Sequence, residues 1–268
     1  MKICFHSHCF PSSLAPRAVA ALAEHAKRVG MAPHTDGTVA GTLQYLRSAD
    51  IDATLICNVA TNPHQEHKVN DFAIALATAG NGIFSAGSIH PDSEDPEGEM
   101  DRLWAAGICG LKIHPDYVGV AVDDPRYDRI FSLAEERGFF VVTHTGFDPI
   151  SPERIYATAQ GLLRVVQKHP SMTLIAAHMG GIKQSRDVLE LLVGTPIWFD
   201  TSLSALRNEE QEDLRLILKE HPADRILFGT DTPWSFPKEE IAFLEDSGLS
   251  ERALDAVFEK NAKKLLQI

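Results

Sequence analysis

The stretch Ile3-Cys4-Phe5-His6-Ser7-His8 is an apolar run that ends in two histidines one residue apart. In an extended strand residues i and i+2 share a face, so His6 and His8 point the same way from stiff backbone. Neutral imidazole is the commonest protein ligand for zinc, and two rings held side by side are half of a metal site. The remaining ligands have to arrive from elsewhere in the chain.

Outward from this strand the sequence alternates. Apolar runs recur at 53–59, 83–90, 107–114, 139–144, 172–178, 196–200 and 225–231, and helical patterns separate them at 66–78, 97–106, 124–137, 152–168, 182–192 and 209–220. The runs are rich in Val, Ile and Phe without polar alternation, as a parallel sheet covered on both faces requires. Eight strands in 268 residues predict an α/β fold of the (β/α)8 TIM barrel type. A doubly wound open sheet is the alternative, but His8-Cys9-Phe10-Pro11 stands where that fold has a glycine-rich dinucleotide turn. The expectation is one domain over 1–268, with a long insertion at about 11–52 and a helical tail from Lys238 to Leu266. Within the insertion the pattern predicts helices at 16–28 and 42–49 and a loop at 31–37.

Composition narrows the function. With 37 acidic and 25 basic residues the formal charge is -12, which argues against nucleic acid or an anionic membrane as partner. No run has the length of a membrane span and the amino terminus lacks a signal-peptide pattern, so the expected compartment is the cytoplasm. Cys4, Cys9, Cys57 and Cys109 form no CxxC pair and read as small buried side chains.

Ionisable residues gather at the carboxyl ends of the apolar runs: His6 and His8, His90, Lys112 and His114, His144, His178, Asp200 and Asp231. A barrel brings those ends into one ring, where enzymes of this fold place their chemistry. A single histidine at a strand end is most often a structural hydrogen-bonder. Agreement among so many ends is the signal.

Four segments carry a resemblance: Phe5-His6-Ser7-His8, Val141-Val142-Thr143-His144, Ala176-Ala177-His178-Met179-Gly180-Gly181, and Leu227-Phe228-Gly229-Thr230-Asp231-Thr232-Pro233-Trp234. Together they resemble the metal-binding motifs of the amidohydrolase superfamily, in particular the amidohydrolase-related branch that contains aminocarboxymuconate-semialdehyde decarboxylase. The resemblance covers the whole chain and implies a distorted barrel holding a divalent metal, most often zinc. One position departs from the pattern: Cys4 stands where that branch often has an aspartate.

The resemblance implies His6, His8, His144 and Asp231 as metal ligands, with Asp231 also the general base for a metal-activated water. His178 is expected either to ligate a second metal or to serve catalysis by bonding a developing oxyanion, the second role being favoured. Lys112 and His114 share a face and are expected to bind substrate. A carboxylated Lys112 bridging two metals, or a Lys112 ammonium paired with Asp231 or Asp200, are its other readings. His90 and His114, each followed by Pro-Asp, and Trp234 are expected to line the pocket. Gly180-Gly181 opens the sixth helix as either an anion cradle or a tight turn. Arg17, Lys183, Arg186 and Arg207 read as solvated charges, and His25, His64, His67, His169 and His221 as surface histidines.

The leading expectation is a zinc-dependent hydrolase of a small amide, ester or lactone, with one ion and room for a second. The alternative is a metal-dependent, non-oxidative decarboxylase of a small carboxylic acid, which would aim a lysine or arginine at the carboxylate. A phosphoesterase of the TatD type ranks third, because Lys112 and His114 stand where such proteins carry a glutamate. A binding protein that has lost catalysis ranks last, since no core ligand is missing. The partner is a small molecule, and a homo-oligomer is compatible with the resemblance.

Overall fold

The computed structural model describes residues 1–268. Its strands are β1 (Ile3–Ser7), β2 (Ala53–Cys57), β3 (Ile83–Ala86), β4 (Gly110–Ile113), β5 (Phe140–Thr143), β6 (Thr173–Ala176), β7 (Trp198–Asp200) and β8 (Ile226–Leu227). All pairings are parallel, β1 to β3 forming one set and β4 to β8 another. Two seams join the sets. Gly87 pairs with Leu111 between β3 and β4, and Ser7 pairs with Thr232 just beyond β8. At the second seam Phe5 N donates to Phe228 O at 2.7 Å and Asp231 N to His6 O at 2.8 Å. The sheet therefore closes into a barrel.

Every residue of β1, β2, β4 and β5 is buried, which is why these strands lack polar alternation. Successive residues nevertheless go to different places. Phe140 and Val142 join Ile3, Phe5, Leu55 and Ile175 in a cluster inside the barrel, whereas Val141 joins Leu111, Leu174 and helical residues such as Leu103 and Ile130. The inner cluster forms a floor beneath the site and the outer one seats the helices. Gly110 has to be glycine, because a Cβ there would lie 2.0 Å from the ring of Phe140.

Side-chain caps set several helix starts. Thr38, Asp95 and Thr158 accept from the N–H groups of Gly41, Gly98 and Gly161 at 3.0, 2.9 and 3.1 Å. The last of these shortens an expected element: the helix read from 152 begins only at Ala159, after the Thr158 cap. The helix read from 182 likewise spans only Ser185–Leu191. Strand pairing stops short of the expected ends, at Ala86 rather than His90 and at Leu227 rather than Asp231. The ionisable residues thus stand on loops leaving the barrel, where a rigid frame can aim them.

The insertion carries helices Ala15–Ala26 and Val39–Arg47, and its middle is strapped to the segment after β8. His34 N donates to Pro233 O at 2.8 Å, Tyr45 OH donates to Ser235 O at 3.3 Å, and the His34 ring lies 3.9 Å from that of Phe236. The tail consists of Pro237–Glu245 and then Glu251–Asp255, which continues through a wider turn at Ala256–Lys260 into Asn261–Leu266. No helix is long and apolar enough to cross a membrane.

Two histidines expected at the surface are buried. His169 packs on Phe131 between Asp128 and Glu135, and His221 Nε2 bonds Ile197 O at 3.0 Å. The His221 ring satisfies backbone groups from within, since its Nδ1 also accepts from Gly194 N at 3.3 Å.

Candidate active site

Between Cys4 and Ser7 the pairing of β1 with β2 slips by one residue. Such a bulge bends a strand and re-aims its side chains. His6 and His8 leave it with their Nε2 atoms 3.2 Å apart. Asp231 reaches the same point from beyond β8, its Oδ1 3.3 Å from His6 Nε2 and 3.0 Å from His8 Nε2. Its backbone is left-handed, with φ of 62°. A non-glycine residue held there costs on the order of 1–3 kcal/mol, and the bond from Asp231 N to His6 O helps to hold it.

The outer ring nitrogens decide what the inner ones can do. His8 Nδ1 lies 2.8 Å from Cys57 O, and since a carbonyl only accepts, Nδ1 carries the proton and Nε2 presents a lone pair. His6 Nδ1 lies 2.9 Å from Asp200 Oδ2, which favours the same tautomer. Two lone pairs and a carboxylate oxygen therefore face one point. Ligands about 2.0–2.1 Å from a tetrahedral ion are roughly 3.3 Å apart, close to the separations found here, so the donor set fits a divalent cation. Lys112 is the protein's own cation at this place: it is wholly buried, with Nζ 3.2 Å from His6 Nε2, and it makes no ion pair with Asp200 or Asp231.

His144 and His178 form the other half of the floor. His178 Nε2 lies 3.1 Å from His144 Nδ1, and its Nδ1 lies 2.8 Å from Ser202 Oγ, so both nitrogens of His178 are engaged. Its backbone is also left-handed, with φ of 55°. His144 stands outside the trio of His6, His8 and Asp231 and groups instead with His114 and Asp148. Its Nε2, buried and without a hydrogen-bond partner, faces Asp148 Oδ2 at 3.7 Å. The rings of His114 and His144 stack 4.1 Å apart, and Tyr117 lies on the far face of His114 at 3.7 Å.

Burial dominates the electrostatics. It holds His6, His114, His144 and His178 well below the usual imidazole range, and the Lys112 charge pushes all four in the same direction. Burial pushes the Asp231 carboxyl up, opposed by the neighbouring His8 and by the Lys112 charge. The cluster thus favours neutral rings, the form that offers lone pairs.

A match to the family model described as Amidohydrolase extends over residues 11–268. The chain belongs to the amidohydrolase family. The fold agrees with solved structures at low identity. An uncharacterized TIM-barrel protein from Bordetella bronchiseptica is 18% identical over 99% of this chain and 98% of its own, with a TM-score of 0.79. A 5-carboxyvanillate decarboxylase from Novosphingobium aromaticivorans, solved with bound manganese, is 15% identical over 100% and 97%, at 0.68. A probable 2-pyrone-4,6-dicarboxylic acid hydrolase from Acinetobacter baumannii is 15% identical over 100% and 99%, at 0.67. No curated protein matches the sequence.

The other expected residues of this amidohydrolase-family chain divide. His114 and Trp234 line the cavity above the trio, whereas His90 does not: its Nδ1 accepts from Asp92 N at 3.0 Å and its N–H donates to Glu66. Gly180 and Gly181 lie in a tight turn before the sixth helix, with φ of 85° and 152°. Arg207 is no solvated charge. It is buried, donates to His178 O at 2.6 Å and Gly181 O at 2.8 Å, and pairs with Glu210 at 2.8 Å. Asp148, Tyr117 and Ser202 carry no signal in the sequence, and Asp200, read there as a strand end and a possible partner of Lys112, bonds His6 instead.

Proposed function

We propose that the protein is a metal-dependent hydrolase acting on the carbonyl of a small ester, amide or lactone. The reading rests on one observation: the Asp231 carboxylate and the Nε2 atoms of His6 and His8 converge on a single point at the floor of a cavity of about 1760 Å³. His6, His8 and Asp231 would hold a divalent ion, zinc being the ion we assign. His144, which groups with His114 and Asp148 and whose buried Nε2 lacks a hydrogen-bond partner, would have to turn toward the trio to serve as a further donor. A zinc ion so held would polarise a carbonyl and lower the pKa of a water.

The chain's own residues do the rest. Asp231, raised by burial, is suited to take a proton from water and return it to the leaving group. Lys112 places a buried positive group beside His6, where negative charge develops on the carbonyl oxygen. His178, bonded at both nitrogens, orients His144. His114 and Trp234 line the space above and would contact the substrate. Among the arginines of the cavity, Arg207 is spent on backbone carbonyls, Arg186 pairs with Asp213 at 3.1 Å and Arg17 is exposed on the insertion, so none is aimed at a carboxylate on the reacting carbon.

Decarboxylation is the second reading. Lys112 is a buried amine without a carboxylate partner, and a substrate acid could supply one. The name of the Novosphingobium protein points the same way. The metal-loaded protein should be offered ester, lactone and amide panels beside aromatic and aliphatic acids with CO2 detection. Hydrolysis lost in Asp231→Asn supports the first reading, CO2 release supports the second, and neither activity removes both.

A further inference from the structure

The cavity does not end above the metal-ligand trio. It continues into a groove between helix Ala15–Ala26 of the insertion and helix Glu66–Ala79. Leu14 at the cap of the first helix and Ala18 and Leu22 within it recur at helical spacing, and Val69 and Phe72 of the second helix line the same cavity. Leu14 is 37% exposed and Val29, at the far end, 40% exposed, so this apolar wall stands open to solvent. The whole space is about 1760 Å³, well above the ~300–1,000 Å³ usual for a small-molecule site.

The charge of the groove is opposite to that of the protein. The chain carries a formal -12, yet the two helices contribute Arg17 and Lys68 to the cavity lining and no carboxylate. Both cations are exposed and neither has an ion-pair partner, whereas Arg186 and Arg207 on the opposite side are paired with Asp213 and Glu210. An open apolar trough flanked by unpaired positive charge, continuous with the reacting centre, is complementary to a chain that is greasy along its length and anionic at its outer end.

We propose that this groove binds a long apolar arm of the substrate, tipped by an anionic group that meets Arg17 and Lys68. The inference rests on the hydrolase reading and narrows it to amphiphilic esters, amides or lactones. Binding of hexyl, octyl and decyl sulfate to the metal-loaded full chain tests it without requiring turnover. Affinity should rise about threefold to fourfold for each added CH2, and the gradient should flatten in Leu22→Asp. In the Arg17→Ala/Lys68→Ala double variant all three sulfates should bind about tenfold more weakly, with the gradient kept. A flat series in the wild-type protein, or equal binding of alkyl sulfates and alkyltrimethylammonium ions of the same length, overturns the inference. Short esters hydrolysed alongside a flat series would leave the hydrolase reading standing and remove the groove. A steep series without hydrolysis of any ester would keep the groove and remove the hydrolase reading.

Discussion

His6 Nδ1 lies 2.9 Å from Asp200 Oδ2, with both side chains buried at the centre of the barrel mouth. The other oxygen of Asp200 accepts from Ser202 N at 3.0 Å and His178 N at 3.2 Å. Asp200 is therefore fixed by backbone before it fixes His6. A carboxylate behind a ligating imidazole sets its tautomer and makes the far nitrogen a better donor, and losing it typically costs 10–100-fold in metal affinity. We expect Asp200→Asn to weaken zinc binding by that order, because an asparagine can turn its NH2 toward His6 and reverse the tautomer. Competition against a chelator of known affinity measures it, with circular dichroism as the check on folding. Unchanged affinity in a folded variant would show that Asp200 only braces the loop.

Asp231 has no such substitute at the reacting point. Asparagine keeps its size and its contact with His6 and His8 but cannot carry a proton. General acid–base groups contribute about 10²–10⁴ in rate, so turnover in Asp231→Asn should fall by two to four decades at saturating metal and substrate. A fall of less than threefold, measured as kcat, would move the base elsewhere.

The strand-end histidines were legible because a barrel converts scattered strand ends into neighbours, and the i, i+2 spacing survives the bulge in β1. Other features were not. Asp200 and His6 are 194 residues apart, and no local pattern tells that an acid ending β7 will turn toward a ring leaving β1. Asp148 lies on a loop after β5 and Tyr117 in the single-turn helix Pro115–Val118 after β4, both too short for periodicity to fix a side chain's direction. His90 ends its apolar run as His114 does, yet Glu66 captures its backbone and leaves its ring out of the cavity. The start of the helix at Ala159 was available in principle from Thr158, a residue type suited to the cap.

Arg207 shows how a loop charge becomes structural. Its guanidinium joins the turn that carries His178 to Glu210, which also accepts from Lys183 N at 3.1 Å and Ser185 N at 3.2 Å. Although burial opposes it, the Arg207 pairing and these N–H groups hold the Glu210 carboxyl down at about 2. Removing one partner of a buried pair costs about 3–5 kcal/mol. Glu210 keeps some exposure, so about 3 kcal/mol is expected for Arg207→Ala in urea unfolding with an unchanged slope. Lysine should recover little, since it cannot span two carbonyls and a carboxylate with one ammonium. A loss below about 1 kcal/mol would contradict this account.

Stability should also depend on pH through His221. Burial first, with the nearby Arg225 charge adding to it, lowers this imidazole from 6.5 to about 4, although its bond to Ile197 O works the other way. Between those values the unfolded chain binds a proton that the folded protein refuses, so the unfolding free energy rises with pH across the window from about 4 to 6.5. At about 1.36 kcal/mol per unit the shift corresponds to roughly 3 kcal/mol. The buried rings of the cavity floor move in the same direction, so the wild-type slope alone cannot identify the group responsible. The decisive comparison is His221→Gln, which keeps a donor for Ile197 O but does not titrate. Its stability at pH 7 should fall modestly, while the difference between pH 7 and pH 4.5 should shrink by about 2–3 kcal/mol. Equal pH slopes in the two proteins would mean that His221 is charged as easily folded as unfolded.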